Sequence, residues 1–359
     1  MNIRKMTLGY IGEESIEEII MEDPGKLCVH ILSYGAVIWK IFLPDKEKGC
    51  LHNVVMGFED WNDYVDNPTY AGAALCPCAG RISQNSLVIE GHPVILTAND
   101  GFNNLHGGIE CGSHRPWKVS GLSHTTEQCS VLLSLSMPNN TDGFPGNRNI
   151  SIRYTLQNDH SLKISFLGTS DKITYMNLSN HSYFNLSGDF TRSGLEHELT
   201  VCAENFIVND SNHLPTAIKP CINTPFDFSV PMTLKANMEK WPKDSQLHNA
   251  KGYNNGFLLV SAPHSGNSSL NKAAVLRDSS SGRTLTLYTD APCLVIYSGG
   301  YLDDRWTLCS NVSSHASCAI ALEAQDIPDA FRFAPDTVSL LHPGELFQRN
   351  ILLAFEWNK

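Results

Sequence analysis

Residues 130–167 read SVLLSLSMPNNTDGFPGNRNISIRYTLQNDHSLKISFL. The stretch holds three short runs rich in Val, Ile, Leu, Tyr and Phe, and Gly, Pro, Asn and Asp separate them. Such runs between turn-forming residues predict β-strands joined by turns. The three predicted strands are Ser130–Ser136, Ile150–Leu156 and Leu162–Leu167.

The same pattern recurs along the chain, where short helices are expected only at Phe58–Tyr64 and Val230–Met238. Many short strands with regular turns indicate an all-β sandwich or barrel. Without a composition break or a fixed repeat, we expect one domain over residues 1–359, with Ser265–Asn271 as an exposed loop. The other predicted strands are Leu27–Leu32, Ala36–Leu43, Thr284–Thr289, Leu294–Ser298, Ala319–Ala324 and Ile351–Phe355.

The composition excludes several classes of partner. Hydrophobic residues make up 42% of the 359 and charged residues 18%, as in an ordinary globular protein. The net charge of −11 argues against nucleic acid and anionic membranes, which need concentrated Lys and Arg. Neither a membrane-spanning apolar run nor a signal-peptide core is evident. We therefore expect a cytoplasmic protein whose 11 scattered cysteines are reduced and mostly buried.

Four polar stretches at predicted strand ends carry Arg81, His106, His181 and Glu323. An arginine, two histidines and a glutamate would form an acid–base site if the fold brought them together. Each also has a structural interpretation, because histidines in polar turns often only hold a loop and Arg81 could be a solvated charge. The four stretches are Ala79–Ser83, Asn103–Gly108, Asn177–Gly188 and Leu322–Ala330.

Seven motifs occur in order between about residue 8 and the C-terminus, and together they resemble the aldose 1-epimerase (galactose mutarotase) family. The resemblance implies a large antiparallel β-sandwich, the galactose mutarotase-like supersandwich, with few short helices and a sugar cleft on one concave face. The motifs are Val55–Asp60 with Tyr64, Gly80–Ile82, Asn103–Gly108, Asp142–Asn147, Asn177–Gly188, Pro225–Phe228, and Leu322–Gln325 with Pro328–Ala330.

The resemblance also implies a reaction, the interconversion of the α and β anomers of a free hexose such as galactose or glucose. The ring opens, rotates about C1–C2 and recloses. Glu323 would be the general base for the C1 hydroxyl, and His181 the general acid for the ring oxygen. His106 and Arg81 would bind the sugar.

By the same resemblance, Asn254 takes the place of a sugar-binding aspartate. Trp61, Tyr64 or Phe184 would offer apolar surface to the sugar ring. No metal and no organic cofactor are expected. The expected partner is a small-molecule monosaccharide or related hemiacetal, bound by a monomer or homodimer.

The chain departs from the family pattern at several sugar-binding positions. Gly80 stands where the family usually has asparagine, Val295 where many members have glutamine, and Cys76-Pro77 where a glycine-arginine pair is usual. Each lost hydrogen bond costs about 1 kcal/mol. Two or three losses would weaken sugar binding by roughly one to three powers of ten.

Three hypotheses remain open from the sequence. The first is an aldose 1-epimerase that acts on hexoses. The second is a mutarotase-like isomerase or epimerase recruited to a less hydroxylated hemiacetal or carbonyl metabolite. The third is a carbohydrate-binding module without catalysis, against which the intact pair of Glu323 and His181 argues.

Overall fold

The computed structural model describes residues 1–45, 50–260 and 270–357. The opening stretch forms three neighbouring antiparallel strands of a nine-stranded sheet, as predicted. Leu133 pairs with Ile152, and Ile152 pairs with Phe166, so these side chains share the buried face. In spatial order the nine strands are Lys118–His124, Gln128–Met137, Arg148–Gln157, Ser161–Ser170, Phe347–Trp357, Arg283–Thr289, Asn271–Arg277, Glu198–Val201 and Met232–Thr233.

A six-stranded antiparallel sheet positions the candidate site. Leu322 and Leu294 point from it into the main hydrophobic core, whereas the alternate residues Glu323 and Val295 face the other side. Because of this alternation, one face of the sheet packs on the core and the other face lines a cleft. In spatial order its strands are Tyr183–Phe184, Ile320–Gln325, Cys293–Tyr297, Asn254–Leu259, Ala203–Asn209 and Pro215–Pro220.

The N-terminal part of the chain forms a five-stranded antiparallel sheet, and four short strand pairs complete the strands among the described residues. The five strands are Asn2–Ile11, Glu14–Asp23, Leu27–Leu32, Val37–Pro44 and Leu51–Asn53. The short pairs are Arg81–Ile82 with Asn104–Leu105, Ala74–Leu75 with Ser179–Asn180, Ser86–Ile89 with His92–Ile95, and Thr174–Tyr175 with Leu340–Leu341.

Helices are few and short, as expected. The helix expected at Phe58–Tyr64 is a 3-10 helix at Trp61–Asp66, and the one expected at Val230–Met238 begins later, at Leu234. The α-helices of the described chain are Leu234–Lys240, Ser245–Ala250 and Ala330–Phe333. The other 3-10 helices are Ser83–Asn85, Gly112–His114, Thr141–Gly143, Gly194–Glu196 and Pro335–Thr337.

One hydrophobic cluster joins the three large sheets, and Val29, Ile152 and Leu322 are members from each of them. Sheets that bury facing apolar surfaces form a β-sandwich, so the predicted fold class is confirmed. Eight of the 11 cysteines are buried, and all 11 thiols are free, as predicted. No helix in the described part of the chain is long and apolar enough to cross a membrane. Of the loop expected at Ser265–Asn271, residues 265–269 lie outside the described residues.

Candidate active site

A cleft of about 460 Å³ lies on the face of the six-stranded sheet that points away from the main core. The five residues singled out from the sequence come from separate parts of the chain, and the fold brings all of them to its wall. Their convergence is the arrangement that sequence spacing alone left open. The five are Arg81, His106, His181, Asn254 and Glu323.

Main-chain hydrogen bonds hold His181 in place. Its N–H donates to the Ala73 carbonyl over 2.9 Å, and its carbonyl accepts from the Gly72 N–H over 3.0 Å. Two residues further on, Tyr183–Phe184 pairs with the strand that carries Glu323. His181 is therefore anchored on both sides, to the segment before Ala74 and to the strand of its partner.

The polar residues around His181 bond to the main chain of other segments. The Ser179 hydroxyl donates to the Ala324 carbonyl over 2.8 Å, and the Asn177 side chain accepts from the Asp326 N–H over 2.8 Å. The Asn180 amide donates to two main-chain carbonyls of the neighbouring segment. These side chains fix the backbone, so their role is structural. His181 is the titratable member of the group that faces the cleft.

His181 and Glu323 form a buried pair. Nε2 of His181 lies 3.4 Å from Oε1 of Glu323, and the two residues are 4% and 3% exposed. Burial raises the pKa of Glu323 to about 8, although the positive charge of Arg81 works in the opposite direction. Burial also lowers the pKa of His181 to about 4.

Near pH 7 these pKa values leave one titratable proton on the pair. Moving that proton from Glu323 to His181 produces a carboxylate beside an imidazolium, without any exchange with solvent. A base and an acid within hydrogen-bonding reach of one substrate are what proton transfer at two neighbouring atoms requires. The pair can therefore accept a proton at one oxygen and donate one at the next.

His106 sits on a strained loop that points its ring into the cleft. Its backbone φ is +51°, in the left-handed region that residues other than glycine rarely adopt. Nδ1 of His106 accepts a hydrogen bond from the Gly80 N–H over 3.1 Å. Burial and the neighbouring His181 hold the pKa of His106 well below its usual range. The ring is therefore neutral, carries its proton on Nε2 and presents a hydrogen-bond donor.

Arg81 is oriented by a partner that the sequence did not reveal. Nε of Arg81 donates to Oδ2 of Asp100 over 2.7 Å, and Asp100 lies in a turn that precedes the His106 loop. The carboxylate fixes one side of the guanidinium. The rest of the group remains near the cleft, where it can contact a polar ligand.

The aromatic wall of the cleft differs from the prediction. Trp61 packs beside a separate apolar cluster, Tyr64 is 1% exposed, and Phe184 is 1% exposed inside the main core. The rings that line the cleft are tyrosines instead. The His181 ring stacks on Tyr183 with centroids 4.7 Å apart, and the His106 ring contacts the Tyr70 ring edge-on at 4.6 Å.

The two adjacent asparagines have different positions. Asn254 lines the cleft, whereas the Asn255 side chain is buried and donates to the Ile207 carbonyl and to Gln246. Alternation along the strand therefore assigns the cleft position to Asn254. Gly80 has a φ of +77°, and a Cβ there would lie 2.9 Å from Oε1 of Gln325, so the glycine keeps this part of the cleft open.

One group in the cleft could also hold a metal ion. One ligand-capable atom from each of His106, His181 and Glu323 lies within 4.8 Å of the others. Two imidazoles and a carboxylate are a donor set used for zinc and for iron. These side chains are the same ones that would contact a sugar, so an ion bound there would compete with it. The expectation that no metal is needed stays a prediction.

Comparison with known proteins identifies similar chains over nearly the whole length. A family model described as "Aldose 1-epimerase" matches residues 17–354. The galactose mutarotase of Bos taurus is 28% identical over 346 residues, which cover 96% of this chain and 95% of the relative. The aldose 1-epimerase of Escherichia coli K12 is 28% identical over 331 residues, 91% of each chain. The crystal structure of galactose 1-epimerase from Lactobacillus acidophilus superimposes with a TM-score of 0.86 at 26% identity, and all of both chains is covered.

Proposed function

The chain belongs to the aldose 1-epimerase family, and from this premise we propose that it interconverts the α and β anomers of free hexoses such as galactose and glucose. The observation that carries the proposal is the distance of 3.4 Å between Nε2 of His181 and Oε1 of Glu323 in an open cleft. Mutarotation needs a base for the C1 hydroxyl and an acid for the ring oxygen, and these two oxygens are bonded to the same carbon.

In the proposed mechanism, Glu323 takes the proton of the C1 hydroxyl while His181 gives a proton to the ring oxygen. The C1–O5 bond breaks and C1 becomes an aldehyde. After rotation about C1–C2 the O5 hydroxyl attacks the other face of the carbonyl. His181 then recovers its proton, and Glu323 returns one to the new C1 hydroxyl, so that no proton is gained or lost over the cycle.

His106 and Arg81 bind the sugar and stabilise charge on its oxygens. The Nε2–H of His106 is a neutral donor, and the Arg81 guanidinium is a cation held by Asp100. Donors positioned in a partly closed site stabilise negative charge that develops on oxygen during ring opening. The amide of Asn254, which lines the same cleft, supplies a further polar contact.

Recruitment to a less hydroxylated metabolite is not favoured, because the similar proteins are named galactose mutarotase or aldose 1-epimerase across most of the chain. A module without catalysis is also disfavoured, since both proton-transfer groups are present and adjacent. The proposal includes the finer expectations of a cytoplasmic monomer or homodimer, with residues 1–359 forming one domain and no cofactor. Free, mostly buried cysteines support a reducing compartment, and a core cluster shared by three sheets supports one domain.

Polarimetry of freshly dissolved α-galactose and α-glucose tests the function. We expect micromolar protein to accelerate the approach to anomeric equilibrium well beyond the spontaneous rate. Glu323→Gln and His181→Asn should each lower kcat at least 10³-fold, in line with the effect of removing a group that acts directly in proton transfer. The exposed residues Glu90 and His92 provide matched controls, because Glu90→Gln and His92→Asn should leave the rate unchanged. A rate equal to the spontaneous one with every aldose would refute the proposal.

A further inference from the structure

Val295 is the immediate cross-strand neighbour of Glu323. The two residues pair directly, and Gly256 pairs with Val295 on the next strand. Directly opposed residues point to the same face of a sheet, with Cβ atoms about 4.5–5.5 Å apart. All three line the cleft. Moving away from the carboxylate, a ligand therefore meets the methyl groups of Val295 and then a backbone without a side chain.

Neither Val295 nor Gly256 has a side-chain group that can form a hydrogen bond. Val295 belongs to a small apolar cluster with Ile207 and Cys293. A Cβ at Gly256 would lie 2.9 Å from Cδ1 of Ile207 and 3.0 Å from Sγ of Cys293, so a side chain there would have to displace these neighbours. A hydroxyl pressed against this surface would lose its bonds to water and gain none.

The order of the strands defines which part of a sugar faces Val295. His181 lies two residues before Tyr183–Phe184, on one side of the Glu323 strand, and Val295 lies on the strand at the other side. In a pyranose the anomeric carbon is bonded to the ring oxygen and to C2. With the ring oxygen toward His181, as the proposed mechanism requires, C2 points in the direction of Val295.

We propose that Val295 and Gly256 form an apolar subsite for C2, and that this chain takes 2-deoxyaldoses in preference to the parent hexoses. The inference rests on the proposed function, because it uses the roles of His181 and Glu323 to orient the ring. It concerns the selection of the substrate and leaves the chemical step unchanged. The C2 hydroxyl of a parent hexose would lose a hydrogen bond to water without gaining one from the protein, which corresponds to a preference of about ten-fold for the 2-deoxy sugar.

The test compares kcat/KM for 2-deoxygalactose and galactose, and for 2-deoxyglucose and glucose, after subtraction of the spontaneous rates. The wild-type protein should favour each 2-deoxy sugar about ten-fold. As a control, 6-deoxygalactose should gain no such preference over galactose, since its missing hydroxyl is remote from C1. Val295→Gln places an amide on the same row and should lower the 2-deoxy preference about ten-fold, chiefly through KM for the parent sugar. Val295→Ile keeps the surface apolar and should preserve the ratio.

The C2 subsite and the epimerase activity can be refuted separately. Acceleration of galactose at least equal to that of 2-deoxygalactose, with a ratio that Val295→Gln does not change, overturns the C2 subsite and leaves the epimerase activity standing. No acceleration with any of the aldoses overturns the proposed function and the subsite with it. Calorimetric binding of galactose and 2-deoxygalactose to the inactive Glu323→Gln variant gives a second measure of the ratio that does not depend on turnover.

Discussion

The backbone N–H of Gly80 donates a hydrogen bond of 3.1 Å to Nδ1 of His106. Gly80 has no side chain, yet its main chain fixes the tautomer of a cleft histidine. The bond leaves Nε2 of His106 as the protonated nitrogen. Gly80 cannot supply the side-chain contact that the family usually has at this position, yet its main chain orients a neighbouring donor.

The first prediction concerns His106 as a neutral donor. His106→Ala should lower kcat/KM for galactose about ten- to hundred-fold, because one hydrogen bond to a developing charge is lost. His106→Gln should recover part of the loss, since its amide NH₂ can donate from a similar position. The measurement is initial-rate polarimetry over a range of galactose concentrations. Equal activity of the Ala and Gln variants would contradict a donor role.

The second prediction concerns the pH dependence of kcat/KM, which reports the groups of the free enzyme. Below a pKa of about 4 the neutral His181 gains a proton and the pair holds two, whereas above a pKa of about 8 Glu323 loses the single proton. Activity should therefore follow a bell-shaped curve, highest between these limits, and the two limbs belong to the pair as a whole. NMR exchange spectroscopy between the anomers across pH 3.5–9.5 measures it. A profile flat through pH 8 would contradict the assignment of Glu323.

The third prediction follows from the raised pKa of Glu323. The pKa of a glutamate side chain is ordinarily about 4.5, and burial raises that of Glu323 to about 8, so the folded state binds the proton more tightly. The resulting stabilisation is complete below pH 4.5 and is lost as the pH rises through 8. Glu323→Gln removes this loss.

The melting temperature of Glu323→Gln relative to wild type should therefore be higher at pH 8.5 than at pH 5, by about 2 °C or more. Differential scanning calorimetry at the two pH values measures the difference. Glu90→Gln is the matched control, because Glu90 is exposed and should show no such dependence. A difference between variant and wild type that is the same at both pH values would contradict a raised pKa.

The fourth prediction concerns metal ions. Dialysis against a chelator should leave the mutarotation rate within about two-fold of the starting value, because proton transfer by Glu323 and His181 needs no Lewis acid. Added Zn²⁺ should inhibit in competition with galactose, since His106, His181 and Glu323 place their ligand atoms within 4.8 Å of one another. Loss of activity on chelation, restored by a metal, would show that the absence of a cofactor was predicted wrongly.

Local sequence patterns were sufficient for the strands that are apolar and bounded by turns. Leu27–Leu32 has the predicted bounds, and the predicted run Ile150–Leu156 lies within the observed strand Arg148–Gln157. Asn2–Ile11 and Pro215–Pro220 were missed, because they lie at sheet edges, where most of their side chains are exposed or partly exposed. The hydrophobic alternation that identifies a strand is weak where neither face is buried.

In the candidate site, too, the sequence identifies individual residues but not the contacts that the fold creates between them. Arg81, His106, His181 and Glu323 stand out in the sequence by residue type and motif, and the fold brings them to one cleft. Asp100 is 19 residues from Arg81 in the sequence. Its contact with the guanidinium arises because the turn that contains Asp100 folds back toward Arg81. The prediction that Trp61, Tyr64 or Phe184 lines the cleft is wrong, because Tyr70 and Tyr183 do so instead. Strand pairing decides which aromatic ring faces the cleft, and the sequence alone does not show that pairing.

The bond from Ser179 to the Ala324 carbonyl has a consequence for how such a protein can change. This hydrogen bond joins the segment that carries His181 to the residue next to Glu323, so a few adjacent residues hold the distance between the two proton-transfer groups. Asn254 and Val295 lie on other strands of the six-stranded sheet. Substitutions at those positions can change which sugar binds, while the distance between His181 and Glu323 remains the same. Chemistry and specificity are therefore separately evolvable within one cleft.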